Sequence, residues 1–294
     1  MSIFGSGGNY GFNQYSGGGR FSGRLIIGVI IAIIGLVGYF THTSVNPVTG
    51  EKQHVSMSAA EETQLGLQAA PQMAAQMGGE VPDNSVETQE VRYIGNTLAR
   101  GSDAAKSPYQ YQYHLLADTQ TVNAFALPGG QVFITKALYD KLKDEAELAG
   151  VLGHETGHVV ERHSAQQMEK GRLGQYLVNA VVVGTSDRRG GYSADVIASV
   201  VNNVTQLHFS RDDESEADSE GLKFMTQVGY DPQAMIDVMK VLMAVSQSQG
   251  RPPEFLVTHP YPEHRIEQIT QQLKQAYPNG VPSNLKRGKA LPRD

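Results

Sequence analysis

Residues 154 to 158 read His-Glu-Thr-Gly-His, a spacing that suits metal-assisted hydrolysis. Residues four positions apart lie on the same face of an α-helix, so His154 and His158 can both reach one metal ion. Glu155 then projects beside them, where a carboxylate can take a proton from a metal-activated water. The five-residue pattern is short and also arises by chance, so it needs support from the rest of the chain.

A catalytic zinc site needs a third protein ligand and one open position. The extended pattern that ends in a third histidine would place glycine at 161 and histidine at 164. The chain has Glu161 and Ser164 there, which excludes that class. His163 is out of register with the histidine pair on a continuous helix, so we interpret it as an ordinary surface histidine.

The later stretch HFSRDDESEADSEGLKF, residues 208 to 224, supplies acidic candidates for the missing ligand. On spacing alone Glu214, Glu216 and Glu220 compete, and the alternative is an acidic, solvated helix face. Asp218 lies four residues after Glu214 and therefore on the same face. A carboxylate in that place can accept the second N–H of a ligand histidine.

HETGH followed by SRDDESEAD resembles the HtpX-like and CAAX-prenyl-endopeptidase-type family of zinc metallopeptidases. In that family the second motif is a glutamate, three residues and an aspartate preceded by alanine. The resemblance implies that Glu214 joins His154 and His158 as the third ligand of one Zn²⁺ per chain. It also implies that Glu155 is the general base and that Asp218 is the companion of the ligands.

Two further stretches carry the resemblance, and together the matches span about residues 90 to 275 in the family's order. LVTHPYPEHRI resembles the family's late histidine-proline motif with a following arginine, here His259, Pro260 and Arg265. His259 and Asp218 are the candidates for stabilising the oxyanion. His259 precedes a proline, which favours an extended backbone on a loop able to reach the cleft. Two alternatives for His259 stay open: it caps the zinc and keeps the enzyme latent, or it is a surface histidine near a turn.

NAFALPGGQVFIT, residues 123 to 135, resembles the family's strand and turn alongside the cleft. Asn123, Gly129 and Gly130 are interpreted as shaping an edge to which the substrate backbone adds as an extra strand. The alternative is a turn in a small sheet with no part in binding.

Hydrophobic periodicity and turn signals predict a mainly helical domain with one small β-sheet, an α+β fold. The family resemblance implies that this domain is of the zincin type. Ser58 and Glu61 have the spacing of a capping box at the start of a helix. Helices are predicted from Ser58 onward and over 86–99, 136–170, 172–183, 195–227, 231–247 and 263–277; strands are predicted over 111–118 and 131–135, and an exposed connection over 187–193.

The N-terminal part of the chain predicts a membrane anchor. Residues 1–24 are a Gly/Ser-rich flexible tail, and residues 25–41 form an apolar transmembrane helix without a polar stripe. Arg20 and Arg24 precede this span, which places the large domain on the non-cytoplasmic side, the periplasm in a Gram-negative bacterium. A buried core helix and a cleaved signal peptide are the alternatives to an anchor.

The remaining boundaries are a linker at 42–57, the metallopeptidase domain at 58–278 and a polar tail at 279–294. The 294-residue chain carries a net charge of −6. Its first forty residues contribute +2, so the rest carries −8, which argues against a nucleic-acid partner. The absence of cysteine excludes disulfides and cysteine-based metal sites.

The sequence therefore favours a membrane-anchored zinc-dependent metalloendopeptidase with protein or peptide substrates, namely misfolded or misassembled envelope proteins. Founding members of the family have several membrane spans and this chain shows one, so processing of prenylated peptides is not expected. The alternatives are a zinc-stabilised, non-catalytic chaperone or adaptor and an anchored helical scaffold in which HETGH is accidental. The oligomeric state is not predicted.

Overall fold

The computed structural model describes residues 23–185 and 208–293, and their side chains except those of 23–25 and 176–185. The helices are α1 (Gly23–Thr41), α2 (Ala59–Gln76), α3 (Val86–Gly101), α4 (Lys136–Tyr139), α5 (Glu145–Val160), α6 (His163–Thr185), α7 (Arg211–Gln227), α8 (Ala234–Gln249), α9 (Glu254–Thr258) and α10 (Pro262–Ala276). The strands are β1 (Ser44–Val45), β2 (Lys52–Gln53), β3 (Gln112–Leu116), β4 (Ala124–Leu127) and β5 (Gln131–Thr135). The predicted tail over 1–22, the connection at 187–193 and the predicted helical residues 195–207 lie outside the described residues.

The main sheet has the strand order β3-β5-β4, with β3 parallel and β4 antiparallel to β5. All five residues of the central strand β5 are buried, which accounts for its continuous apolar run. β4 is an edge strand, and it lies between the two predicted strands, where only a turn was predicted. β1 and β2 form a second, two-stranded antiparallel sheet. The predicted α+β class is confirmed, with two small sheets instead of one.

Helix α5 carries HETGH and is the centre of the domain. The Asp144 side chain accepts the backbone N–H of Glu147 and so caps its first turn, and every residue from Ala146 to Val160 is buried. It packs against α3, α7, α8 and the sheet. Thr156 lies inside this core because its hydroxyl pairs with Tyr113 Oη at 2.9 Å.

The predicted single helix over 136–170 is wrong, because the chain forms three helices there. α4 ends at Tyr139, and α5 starts anew at its own cap, Asp144. The second break follows Val160, where Arg162 adopts a left-handed backbone conformation (φ 58°). The Arg162 guanidinium donates to Glu62 and to the carbonyl of Met57, and these contacts hold the unusual backbone in place.

The two motif helices touch backbone to backbone through glycines. A Cβ added at Gly157 of α5 would lie 2.7 Å from the carbonyl oxygen of Ala217 in α7. One added at Gly221 of α7 would lie 3.0 Å from the backbone nitrogen of His154. A glycine costs about 1 kcal/mol of helix propensity relative to alanine. Here that cost is offset by the close approach that brings both motifs together.

The predicted linker 42–57 packs on the domain at the end of α5. Asn46 and Gln53 are buried, and both side-chain amides donate to Glu161 Oε2. β1 and β2 form a short hairpin within this segment. These residues therefore fix the direction from which α1 approaches the domain.

The predicted polar tail also lies against the domain. The Arg287 guanidinium donates to Asp144, Glu147 and Asp237, and Leu291 is buried in the hydrophobic core. Residues 279–293 therefore continue the fold. Arg287 is far from these three partners in the sequence, so no local sequence pattern predicts the contacts.

Helix α1 is apolar on nearly every side and packs along α6. Its least exposed residues include Gly28 and Gly35. Exposed isoleucine, valine, leucine and phenylalanine side chains cover the rest of its surface. Among the residues that the structure describes, no helix combines the length and the apolar character needed to cross a membrane.

Candidate active site

Two helices bring the three predicted metal ligands into one cluster. His154 and His158 lie one turn apart on α5, with their Nε2 atoms 3.1 Å from each other. Glu214 follows the first turn of α7, where Ser210 and Asp213 form a capping box. Its Oε2 lies 3.5 Å from His154 Nε2, and its Oε1 lies 3.5 Å from His158 Nε2. All three side chains are almost completely buried.

His259 completes the cluster. It follows α9, and its Nδ1 lies 2.9 Å from Glu214 Oε1 and 3.2 Å from His154 Nε2. The Phe255 ring stacks on its imidazole at a centroid distance of 4.5 Å. The structure thus contradicts the alternative of a surface histidine, because His259 is buried among the predicted ligands.

The arrangement of these atoms fits a zinc ion. A tetrahedral site with bonds of about 2.0–2.1 Å separates neighbouring ligand atoms by about 3.3 Å. The distances from His154 Nε2 to the other donors span 3.1 to 3.5 Å. One buried oxygen at the cluster, Glu155 Oε1, has no hydrogen-bond partner among the described residues, and Glu214 Oε2 has only an ion-pair contact, with Arg265. Three imidazoles and one carboxylate form a donor set that zinc accepts.

The charge states of the ligands also suit a cation. Burial holds the pKa of His158 well below its ordinary value, so this imidazole is neutral. Burial alone would raise the pKa of Glu214, but the charges of His259 and Arg265 hold it well below its usual range. A neutral His158 and an ionised Glu214 are the forms that bind metal. Burial would lower the pKa of His259, but the Glu214 and Glu155 carboxylates raise it, so this imidazole must lose a proton before it can act as a ligand.

Glu155 lies beside the cluster and is equally buried. Its Oε1 lies 3.6 Å from His259 Nε2. Burial raises the pKa of this carboxyl group, although the positive charges of His259 and His154 oppose the increase. A carboxylate with a raised pKa releases a captured proton at a higher pH, which suits a group that must both accept and donate one.

Asp218 supports His154 from behind. Its Oδ1 lies 2.9 Å from His154 Nδ1, the ring nitrogen that faces away from the cluster. Arg265 donates to both oxygens of this carboxylate, from Nε at 2.8 Å and from Nη2 at 2.6 Å. Burial would raise the pKa of Asp218, but the Arg265 charge and the hydrogen bonds hold it below its ordinary value. An ionised carboxylate in this place can accept a hydrogen bond from His154 Nδ1 and has no proton of its own to donate.

Arg265 is a site residue that the sequence indicated only through the late motif. It is one of the largest fully buried side chains, and its Nη1 makes an ion-pair contact with Glu214 Oε2 at 2.7 Å. One guanidinium therefore balances two carboxylates of the site. Nothing in the local sequence predicts these partners, which lie about fifty residues earlier in the chain.

The interpretation of His163 as a surface histidine is wrong. Its residue exposure is 1%, and its Nδ1 lies 2.8 Å from Nδ1 of His158. The prediction assumed that one helix continues through this position. The left-handed backbone at Arg162 redirects the chain, and α6 begins at His163 with its side chain turned back toward the cluster.

The three predicted substrate-binding residues are separated by the length of β4. Asn123 precedes the strand and is buried, whereas Gly129 and Gly130 form the turn after it. Both glycines have positive φ, and a Cβ at Gly129 would lie 2.3 Å from the backbone of Thr63. The turn packs against α2, so the structure gives these glycines a packing role and does not bring them to the cluster.

Aromatic rings cover the cluster. Phe209 stacks on His158 at a centroid distance of 4.1 Å, and its backbone nitrogen donates to the carbonyl of Thr258. This bond joins the segment before α7 to the end of α9, next to His259. Within the described part of the chain, the four cluster side chains are thus almost completely buried.

A second group of carboxylates lies nearby and consists of Glu51, Glu161 and Glu216. Burial raises the pKa of Glu161 to about 8, and the negative charges of Glu216 and Glu51 add to the increase. Glu161 is therefore largely protonated at neutral pH. A neutral carboxyl group lets the three side chains lie close together without a cation.

The sequence profile of peptidase family M48 matches residues 85–273, which include every residue of the metal cluster. The chain belongs to peptidase family M48. The family resemblance drawn from the motifs is thereby confirmed, and with it a family whose members are metallopeptidases. The matched region begins next to α3 and ends within α10, so it includes the main sheet and His259.

Several proteases are similar to the chain. The mitochondrial metalloendopeptidase OMA1 of Schizosaccharomyces pombe is 31% identical over 252 residues, covering 85% of this chain and 72% of the relative. The β-barrel assembly-enhancing protease of Escherichia coli is 28% identical over 245 residues, covering 81% of this chain. Its counterpart in Yersinia pestis is 29% identical over 278 residues, covering 90% of this chain. The chain spans about half the length of these bacterial relatives, 49% and 54%.

Proposed function

We propose that this protein is a membrane-anchored zinc-dependent metalloendopeptidase. The observation that carries the proposal is the buried cluster of His154, His158 and Glu214 with the carboxylate of Glu155 beside it. A non-catalytic chaperone could use the same metal ligands. It would have no use for a buried carboxylate of raised pKa, which is costly to keep beside the ligands.

The chain's own residues divide the chemistry between them. When bound by His154, His158 and Glu214, zinc would polarise the peptide carbonyl and acidify a water molecule. Glu155 takes the proton of the attacking water and delivers it to the leaving amine. Asp218 holds His154 in one orientation, and the two hydrogen bonds from Arg265 keep Asp218 ionised.

We further propose that His259 caps the zinc site and keeps the enzyme latent. Its Nδ1 lies within ligand distance of the other donors, in the place that a catalytic site leaves open for water or substrate. Phe255 and Phe209 hold the imidazole from two sides, at centroid distances of 4.5 and 5.2 Å. Movement of the segment after α9 would uncover the metal and admit a substrate.

Replacing His259 by alanine is expected to raise basal cleavage and to weaken zinc binding by about tenfold or more, because one donor is lost from a buried site. Hydrolysis of fluorescein-labelled casein and chelator competition measure the two effects on the full chain. Replacing the exposed His264 by alanine is the matched control. Reduced cleavage with unchanged zinc affinity would assign His259 to the oxyanion instead, and no change in either would remove it from the site.

The open edge of β4 is the proposed substrate-binding strand. The Asn123 carbonyl accepts the backbone N–H of Thr135 in β5, and the Asn123 N–H donates to the Thr135 hydroxyl. Alternation along an antiparallel pair therefore turns the backbone groups of Ala124 and Ala126 away from β5, where the Ala126 carbonyl accepts the Ser164 hydroxyl at 3.4 Å. The carbonyl of Val122 accepts the backbone N–H of Phe255, so this end of the strand lies next to the cap. An extended peptide paired with β4 would pass beside the cluster.

Asn123 is buried, and its Oδ1 has no hydrogen-bond partner in the described part of the chain. Replacing Asn123 by alanine is expected to raise KM by roughly 2- to 10-fold, the value of one hydrogen bond, with kcat little changed. Steady-state kinetics on a peptide substrate test this, with the exposed Gln120→Ala as control. An unchanged KM would exclude Asn123 from substrate binding.

The apolar surface of α1 supports the proposal of a membrane anchor. Side chains such as Ile34 and Phe40 are 60% and 64% exposed, and no charged residue lies between Leu25 and Phe40. Arg20 and Arg24 favour a cytoplasmic tail and a domain on the other side of the membrane. By analogy with the names of its bacterial relatives, we propose that the substrates are misfolded or misassembled proteins of the envelope.

Expression of the full chain in a Gram-negative host tests the anchor. The chain is expected to stay with membranes at alkaline pH, and its domain is expected to become protease-accessible once the outer membrane is opened. Replacing Ile30 and Ile34 by aspartate should release it from the membrane, because each buried charge disfavours insertion by about 2.5–3.5 kcal/mol. Retention of this variant in the membrane would contradict the proposal.

A further inference from the structure

His158 has two ring nitrogens, and only one faces the metal cluster. Its Nε2 lies 3.1 Å from His154 Nε2 and 3.5 Å from Glu214 Oε1. Its Nδ1 lies on the other side of the ring, 2.8 Å from Nδ1 of His163. The remaining nitrogen of His163, Nε2, lies 3.0 Å from Glu216 Oε2 on α7. The three side chains form a row that leads away from the cluster.

One arrangement of protons satisfies every contact in this row. A nitrogen that binds a metal carries no proton, so the proton of neutral His158 is on Nδ1. That N–H donates to His163 Nδ1, which is therefore unprotonated. The proton of His163 is then on Nε2 and is donated to the carboxylate of Glu216. Each side chain fixes the tautomer of the one before it.

The two ligand histidines are supported in different ways. His154 contacts the carboxylate of Asp218 directly, at 2.9 Å. His158 contacts the imidazole of His163, and it is His163 that contacts the carboxylate of Glu216. Outer partners of this kind set the orientation of a ligand ring and its basicity. His163 therefore has the same position relative to His158 that Asp218 has relative to His154.

The backbone holds His163 in this place. Arg162 has φ 58° and ends the path of α5, and His163 opens α6 with its side chain completely enclosed. Glu216 is 42% exposed at its side chain and closes the row at the surface. The position of His163 follows from a break in the helix and not from helical spacing.

We propose that His163 is a positioning residue that holds the zinc ligand His158 in the metal-binding tautomer and ring orientation. This inference rests on the proposed zinc site, and it assigns a second outer partner to that site. It predicts that the acceptor atom at the Nδ1 position of residue 163 matters for metal binding, beyond the volume of the side chain.

Two substitutions in the full chain separate the acceptor from the volume. In His163→Phe the ring remains but the acceptor is lost, whereas in His163→Asn an oxygen can take the place of Nδ1. The phenylalanine variant is expected to bind zinc about 10- to 100-fold more weakly, and the asparagine variant is expected to recover most of the affinity. The visible absorption bands of the Co²⁺-loaded protein should shift in the phenylalanine variant and return toward those of the wild type in the asparagine variant. Chelator competition measures the affinity, and His264→Phe is the control.

Equal zinc affinity and an unchanged Co²⁺ spectrum in His163→Phe would overturn the inference. Equal losses in the phenylalanine and asparagine variants would also overturn it, because packing alone would then explain the effect. If the phenylalanine variant does not fold, Glu216→Ala, which removes the acceptor of the His163 Nε2–H, decides: a several-fold loss supports the row, and wild-type affinity contradicts it. Failure of the wild-type chain to bind zinc would count against the proposed function itself.

Discussion

Glu155→Gln is expected to lower kcat by about 10²- to 10⁴-fold, the usual contribution of a general acid–base. An amide has the shape of the carboxylate but takes no proton from water. The Glu155 carboxylate lies beside the cluster but is not one of the four grouped donors, so zinc affinity should stay close to that of the wild type. Cleavage of labelled casein, measured alongside chelator competition, tests both parts.

A latent enzyme would cleave little even with Glu155 intact. The substitution is therefore best measured both in the wild-type chain and in the His259→Ala variant. Glu161→Gln is a matched control, since Glu161 is also buried and lies only six residues further on. A chaperone that bound unfolded chains would keep its binding activity in Glu155→Gln. Undiminished cleavage in that variant would overturn the assignment of Glu155 as general base.

Glu214→Ala is expected to weaken zinc binding by more than about 100-fold. Loss of a residue that only supports a ligand costs up to roughly that much, and Glu214 is itself a proposed ligand. The substitution removes the carboxylate from the group of four donors. Among the described residues, the other three members of this group are histidines. The substitution also takes one of two anions from the buried guanidinium of Arg265, and unpaired buried charge is destabilising. Metal content after purification without chelators and the unfolding temperature measure the two effects.

Glu214→Gln separates these contributions, because the amide keeps the shape of the side chain but is a poor metal ligand. Glu220→Ala is the matched control: it lies on the same helix, outside the cluster. It is also one of the three glutamates that compete for the ligand role on spacing alone. Zinc binding that survives in Glu214→Ala but fails in Glu220→Ala would mean that the ligand set is wrong.

The ligand histidines were predictable because four-residue spacing on a helix is a local property. Selecting Glu214 over its acidic neighbours needed the family resemblance, since spacing alone treats all three alike. The structure shows the physical difference between them. Ser210 and Asp213 start α7 so that Glu214 faces α5, whereas Glu216 turns toward His163.

The sequence could not predict the break at Arg162, and His163 was misjudged with it. Residues 161 and 162 include neither glycine nor proline, so nothing local ends the helix there. The left-handed backbone depends on bonds from Arg162 to Glu62, one hundred residues earlier. The partners of Arg265 are equally remote, because the ion pairs that place this side chain form only after α10 packs on α7.

Gly157 of α5 lies against Ala217 of α7, and Gly221 of α7 lies against His154 of α5. These two close contacts bear on which metal ion the site can hold. With no Cβ at either glycine, main chain rests on main chain, and no side chain can yield to change the spacing of the helices. An ion of larger radius needs longer bonds than zinc does, so it would have to push the two helices apart. We therefore expect the fixed spacing of these helices to disfavour ions larger than zinc, while the imidazoles and the carboxylate select for chemical type.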